Sequence, residues 1–398
     1  MERFLKNLIR HGTLHCVIAD KSGALTFGDG APPEVTVLFH NSRAARRMAL
    51  RPVLAFAEGY MNGEITLEKG SLSDLFTLIF SNAGSDADKL YMHLPPFLSF
   101  LDPLLRTRNR PPRAGRNVAR HYDLKDDFYE LFLDSDRQYS CGYWGEGVNT
   151  LEEAQAAKRR HIAAKLRLTR PGLRVLDIGS GWGGLAIELV RDHGAIVEGI
   201  TLSQRQHAIA SARAEEAGVG GACRFHLRDY RHQTGDFDRI VSVGMFEHVG
   251  AGNYAEYFDC VRRLLRDDGV ALLHSIVTLT PKTLRGDPFI LKYIFPGGQI
   301  PSLSDVTHHS LRAGLFVTDT EIWRLHYART LEAWHERFAA NRERVLELYD
   351  ERLYRMWSLY FLGTAAAFRH IPMAVGQIQM TPPLHADTVP VTRDYMYR

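Results

Sequence analysis

Cysteine is scarce in this chain, and the four present, Cys16, Cys141, Cys223 and Cys260, stand far apart with no C-x-x-C pair. That spacing argues against a disulfide framework and against a zinc site, so no metal is expected and a reducing, cytoplasmic setting fits. Long apolar runs are also missing. None approaches the roughly 20 residues of a membrane span, and the start, Met1-Glu2-Arg3-Phe4-Leu5-Lys6, lacks the apolar core of a signal peptide. Membrane contact is therefore expected to be peripheral. Charge of one sign is not in excess either: a net +3 is too small to argue for a nucleic-acid partner, and none is expected. No internal repeat is visible.

What is present is enough for two domains, since 398 residues exceed one ordinary core. Up to about Pro103 the pattern predicts strands over Val17 to Phe27, Val35 to Phe39 and Ile65 to Leu67, and helices over Arg43 to Tyr60 and Leu72 to Phe80. No catalytic signature falls there. A stretch without acids, carrying Arg106, Arg108, Arg110, Arg113 and Arg116 among Pro and Gly, reads as an exposed basic linker. The division is then 1–105 for a small α+β domain expected to dock on lipid or membrane, 106–117 for the linker, and 118–398 for a catalytic domain. Residues 121–144 are aromatic and read as a lid or entrance wall.

Beyond a helix from Leu151 to Leu168, strands and helices alternate. Strands are predicted over Arg174 to Ile178, Ala195 to Thr201, Arg224 to Leu227, Arg239 to Gly244 and Val270 to Ile276, with helices over Leu185 to His193, Gln204 to Ala217 and Tyr254 to Leu265. Such alternation implies an α/β, doubly wound parallel sheet with right-handed crossovers. The apolar spacing from Thr330 to Tyr360 predicts long helices covering the sheet or the active site.

In such a sheet the ligand lies beyond the carboxyl ends of the strands, which selects the residues to weigh. Gly179, Gly181 and Gly184 fit G-x-G-x-x-G, a weak signal alone. Asp177 stands before the first glycine, where a carboxylate would face a cofactor instead of cradling a pyrophosphate; S-adenosylmethionine, cationic and without phosphate, suits it. After the second strand the end is Thr201, not the acid of a dinucleotide enzyme, and Gln206 one turn on could serve a ribose. Asp229 could accept from an adenine amino group and Tyr230 could pack its ring. Glu247 and His274 follow at the next two strand ends.

Together with Gln138 to Trp144, Asp238 to Gly250, Lys292 to Gly298 and Ala333 to Phe338, these stretches make the chain from His121 to about Arg369 resemble the cyclopropane-fatty-acyl-phospholipid synthases and the related mycolic acid cyclopropane synthases. The resemblance implies a Rossmann-like methyltransferase domain. It further implies that Tyr139, Ser140, Gly179, Gly181, Thr201, Gln206, Asp229 and Tyr230 line the S-adenosylmethionine site, and that Cys141, Glu247, His274, Ile276 and Tyr327 hold a bicarbonate ion. Two positions depart from the family pattern: Ser180 stands in the glycine turn where cysteine is frequent, and Thr364 where some members have cysteine, which argues against a cysteine nucleophile there.

The implied reaction carries the methyl carbon of S-adenosylmethionine to the cis double bond of an unsaturated phospholipid acyl chain, followed by bicarbonate-assisted deprotonation and ring closure. Glu247 would accept from the bicarbonate hydroxyl, with Tyr327, His274 and the N–H groups of Cys141 and Ile276 donating. The ring faces of Tyr122, Tyr143, Trp144 and Phe246 could stabilise the cation, though plain packing accounts for them equally well. A lipid C-methyltransferase giving a methyl or methylene product is the nearest alternative. A dinucleotide oxidoreductase and a non-catalytic lipid binder fit less well. The expected partners are unsaturated phospholipids on the inner face of a membrane, and a homodimer is allowed.

Overall fold

The computed structural model describes residues 2–84, 126–281, 283–383 and 388–397. The basic linker and the start of the aromatic segment, with Tyr122, lie outside the described residues. The chain forms two compact units, and neither is continuous in sequence: the first combines the N-terminal residues with Arg285–Ile294 and Tyr327–Met373, and the second takes the rest.

In the first unit a helix, Glu2–Leu8 (α1), precedes a hairpin of Thr13–Ile18 (β1) and Ala24–Gly28 (β2). The single strand expected over Val17 to Phe27 thus straddles a turn, where Asp20, Ser22 and Gly23 interrupt the β-branched pattern. Strand β1 pairs antiparallel with β2 and parallel with Glu34–Phe39 (β3), and β3 pairs antiparallel with Ile65–Lys69 (β4), giving the order β2-β1-β3-β4. The helix expected from Arg43 to Tyr60 is two helices, Ser42–Leu50 (α2) and Pro52–Met61 (α3). Proline has no N–H and pushes the preceding residue out of the helical region; Arg51 has φ −145° and ψ 70°. Leu72–Ala83 (α4) starts at a capping box in which Ser71 and Asp74 exchange hydrogen bonds. Val35, Val37, Phe39, Leu75 and Leu78 bury the inner face.

The second unit opens with a short helix, Asp126–Glu130 (α5), and a longer one, Leu151–Lys165 (α6), capped by Thr150 and Glu153. Then come Arg174–Ile178 (β5), Gly184–His193 (α7), Ile196–Thr201 (β6), Gln204–Glu216 (α8), Cys223–Leu227 (β7), Phe237–Val243 (β8), Tyr254–Leu264 (α9) and Leu265–Thr278 (β9), close to the predicted ranges. Two further strands follow the helix Leu303–Arg312 (α10): Phe316–Ile322 (β10) and Met373–Thr381 (β11), an antiparallel pair. The sheet order is β10-β11-β9-β8-β5-β6-β7, with β5 parallel to both β6 and β8. The chain winds in opposite senses from β5, so the crevice opens at the end of that strand.

The stretch from Thr330 to Tyr360, expected to form long helices covering the sheet or the active site, falls in the helices Arg324–Ala340 (α11), Arg342–Leu348 (α12) and Glu351–His370 (α13). From Tyr327 onward they belong to the first unit, where α13 packs on α3 and α4. Trp357, Phe361, Ala365 and Phe368 make its buried stripe. Gly363 permits the close approach, since a Cβ there would lie 3.3 Å from the Phe76 ring.

Candidate active site

The crevice is built around the turn leaving β5. Gly179 (φ 86°) and Gly181 (φ 55°) occupy the left-handed region that other residues avoid. A Cβ on Gly179 would come within 2.8 Å of the Met245 Cβ, whereas one on Gly181 would meet nothing within 4 Å. The first glycine therefore admits a neighbouring loop and the second keeps backbone open to the cleft. Tyr139, Ser140, Asp177, Gly179, Gly181, Thr201, Gln206, Asp229 and Tyr230 all line this one cleft.

Asp177 is buried at the end of β5, and burial pushes its carboxyl up to about 7 while nearby Lys158 pulls it down. At the end of β6 the Thr201 hydroxyl donates to Gln206 Oε1 (3.0 Å), and Ser203 caps α8 by accepting from the Gln206 N–H. Asp229 is already engaged within the chain. Its oxygens take the Arg231 N–H (3.0 Å), Nε (2.9 Å) and terminal nitrogen (2.7 Å), and these bonds outweigh the burial that would raise the carboxyl, holding it below the ordinary range. Tyr230 packs edge-on against Tyr257, with ring centroids 5.4 Å apart.

Four of the five residues expected around the bicarbonate ion lie in the second unit. Val243 of β8 pairs with His274 of β9, and the Gly244 N–H donates to the His274 carbonyl (2.8 Å), so the two strand ends meet beside the cleft. Glu247 sits in the 3-10 turn Phe246–His248 just after β8. Its Oε1 accepts from the Ile276 N–H at 2.6 Å, while Oε2 is buried with no hydrogen-bond partner among the described residues. Desolvation raises this carboxyl to about 6 against the pull of the Ile276 N–H. The Ile276 N–H, expected to donate to an ion, is thus engaged by Glu247 itself, because a buried carboxylate takes the nearest donor.

His274 Nδ1 faces the Gln377 amide nitrogen at 3.0 Å; with that amide donating, the ring accepts there and carries its proton on Nε2, which is buried with no acceptor among the described residues. Burial, with Lys158 and Lys165 nearby, keeps it neutral. Cys141 is buried and its thiol donates to the Gly142 carbonyl. Tyr327 falls in the first unit, on α11, with its ring against Trp334 and Phe368. Phe246 does not line the cleft: its ring packs against Tyr254, Tyr257 and Phe258, and packing accounts for it.

Gln138 and Met245, which belong to stretches that carry the resemblance, also line the cleft, and so does Lys158, which sequence patterns pass over. In sequence nothing separates Lys158 from Arg159 and Arg160 beside it; only the face of α6 that turns inward does. Gln377 supports His274 from β11, a strand whose buried glutamines break the apolar signature. Among the described residues no helix is long and apolar enough to cross a membrane, and no cluster of three or more His, Cys, Asp or Glu residues could hold a metal.

A sequence model of mycolic acid cyclopropane synthetase matches residues 109–378, and one of a domain of unknown function matches residues 19–89. The cyclopropane-fatty-acyl-phospholipid synthase of Escherichia coli K12 is 38% identical over 355 residues, 89% of each chain. A probable fatty acid methyltransferase of Pseudomonas putida is 35% identical over 384 residues, 94% of each. The mycolic acid cyclopropane synthase CmaA1, solved with SAH and CTAB, superposes with TM-score 0.63 at 36% identity, over 67% of this chain and 97% of that one. Given the matched length and the shared sheet, the chain belongs to the mycolic acid cyclopropane synthetase family and is an enzyme with that family's Rossmann-like methyltransferase fold.

Proposed function

We propose that the enzyme transfers the methyl carbon of S-adenosylmethionine to the cis double bond of an unsaturated phospholipid acyl chain and closes a cyclopropane, with a bicarbonate ion assisting the deprotonation. The observation that carries this reading is the pair of buried, unsatisfied groups beside the glycine-turn cleft: an acceptor, Glu247 Oε2, and a donor, the His274 Nε2 proton. Buried polar atoms are rarely left without partners, and a small ion with one hydroxyl and charged oxygens complements both. S-adenosylmethionine, when bound, supplies an electrophilic methyl group; bicarbonate, when bound, supplies a base small enough to reach the added carbon.

The residues of the chain do the remainder. Asp177 and the open backbone at Gly181 orient the cationic cofactor, and Thr201, Gln206, Asp229 and Tyr230 hold its nucleoside end. An alkene is a weak nucleophile, so in-line positioning in a site without water is the main rate factor. Addition leaves a carbocation on the acyl chain. Glu247, whose carboxyl sits near 6, is ionised at neutral pH and accepts a proton at Oε2, while His274 stays neutral and holds its own proton on Nε2. The sulfur leaves as the neutral thioether when the methyl group is transferred, ahead of ring closure; the added methyl then loses one proton, and the C–H electron pair closes the ring.

The E. coli relative supports a phospholipid substrate. Exposed arginines on the first unit support approach to an anionic membrane: Arg43, Arg46 and Arg51 face solvent, while Arg47 pairs with Glu64. The name of the Pseudomonas putida relative favours a second reading, a methyl-branched or methylene product from the same cofactor and alkene. Incubation with S-adenosylmethionine and vesicles of unsaturated phospholipid, then gas chromatography of the released fatty esters, tests the proposal. A product one CH₂ heavier than the substrate is expected, formed more slowly when carbonate is removed; unchanged esters would refute it.

A further inference from the structure

Lys158 is a fully buried lysine on α6, and it lines the cleft. Its Nζ donates to Gln138 Oε1 at 2.6 Å and to Ser140 Oγ at 2.8 Å. Both acceptors are neutral, and among the described residues no carboxylate forms an ion pair with the ammonium. Asp134, Asp136 and Asp177 act on this ammonium through space, but none pairs with it directly, and burying a cation without a paired carboxylate is costly, so its hydrogen bonds to neutral acceptors carry its place in the site. The same helix grips the segment at two more points: Gln155 Nε2 donates to the Ser140 carbonyl (2.9 Å), and the Ala154 carbonyl accepts from the Tyr143 N–H (2.9 Å). Gly142 makes this contact close, since a Cβ there would sit 3.1 Å from the Ala154 Cβ.

We propose that Lys158 is a positioning residue of the cofactor site, which donates to Ser140 Oγ and thereby turns the Ser140 hydroxyl proton away from α6 and into the cleft. A serine hydroxyl has one proton; once Oγ accepts from an ammonium, that proton must point elsewhere. Among the described residues no acceptor takes it. Ser140 is therefore presented as a hydrogen-bond donor, matched to an acceptor oxygen or nitrogen of the ligand and not to its cationic groups. This inference rests on the reading of the cleft as the S-adenosylmethionine site.

Calorimetric titration of S-adenosylhomocysteine into the wild type, Lys158→Met, Ser140→Ala and the double variant tests it, alongside KM for S-adenosylmethionine and kcat. Each single variant is expected to weaken binding by about tenfold or more, the scale of one hydrogen bond involving a charged group. The double variant should lose little beyond either single one, and KM should rise more than kcat falls. Losses that multiply, or affinities within about twofold of wild type in folded variants, would overturn the proposal. Should Lys158→Met fail to fold, Ser140→Ala alone decides by the same threshold. A wild type that does not bind S-adenosylhomocysteine would overturn the cofactor reading, and this inference with it.

Discussion

The surroundings of Glu247 constrain its chemistry: one oxygen is tied to the Ile276 N–H, the other is buried with no partner among the described residues. Glu247→Gln is expected to keep S-adenosylhomocysteine affinity and to lose activity by about 10²–10⁴-fold, the usual range for a lost acid–base group. Parallel loss of affinity in calorimetry would contradict this division. With the folded-state carboxyl raised to about 6, the proton-accepting form is lost as pH falls through that value. Turnover should drop along an acidic limb centred near 6, and a rate flat down to pH 5 would remove Glu247 from proton transfer. Asp177 gives a second pH signature. Its carboxyl, raised to about 7, is partly protonated in the absence of ligand near neutrality. A cation binding against it expels that proton, so affinity should rise with pH through about 7. Asp177→Asn should bind more weakly and lose the dependence, as calorimetry in buffers of different ionisation heat would reveal. Of the nine residues expected around the cofactor, Asp177, Gly179, Gly181, Thr201, Gln206, Asp229 and Tyr230 are legible because they stand at or just after strand ends, which fold geometry selects, whereas Tyr139 and Ser140 come only from the family resemblance; all nine line one cleft. The engagement of Asp229 by Arg231 and of Ile276 by Glu247 is not legible, since a residue's competitor for a hydrogen bond emerges only from packing.

The strands β5 to β8 are legible because buried parallel strands read as short apolar runs between helices with their own caps. The antiparallel pair β10 and β11 escapes notice for the opposite reason. Strand β11 buries Gln377 and Gln379, whose amide nitrogens reach long-range partners, His274 Nδ1 and the Lys165 carbonyl (2.6 Å). In the first unit the break at Pro52 is a local rule that apolar periodicity across Arg43 to Tyr60 obscures. The turn after β5 supplies a test at this scale. Gly179→Ala places a side chain at φ 86° and against Met245, which should cost roughly 1–2 kcal/mol from the left-handed conformation alone. Thermal denaturation should register that loss together with weakened cofactor binding; an unchanged midpoint would mean that the turn relaxes freely.

For the molecule as a whole, the division into units is the feature that sequence order hides. A boundary drawn at a basic linker assumes that each domain is one continuous segment, yet residues 327–373 contribute helices to the N-terminal unit. The apolar stripe of α13 is evident in sequence, but its partners α3 and α4 lie almost 300 residues away, and periodicity does not specify a partner. Exposed arginines on the first unit set an expectation for the intact enzyme. Replacing Arg43, Arg46 and Arg51 with glutamine should reduce co-sedimentation with anionic vesicles, each arginine contributing on the order of 1 kcal/mol near such a surface, and about 1 M salt should abolish it in the wild type. Binding indifferent to salt and to these changes would point to apolar insertion instead. The most direct test of cyclopropanation is NMR of the product formed from S-adenosylmethionine labelled with ¹³C in its methyl group, using vesicles of a cis-monounsaturated phospholipid. Ring closure predicts that the label appears as a cyclopropane CH₂ bridging the two former alkene carbons. Label found in a methyl branch or an exocyclic methylene would contradict it.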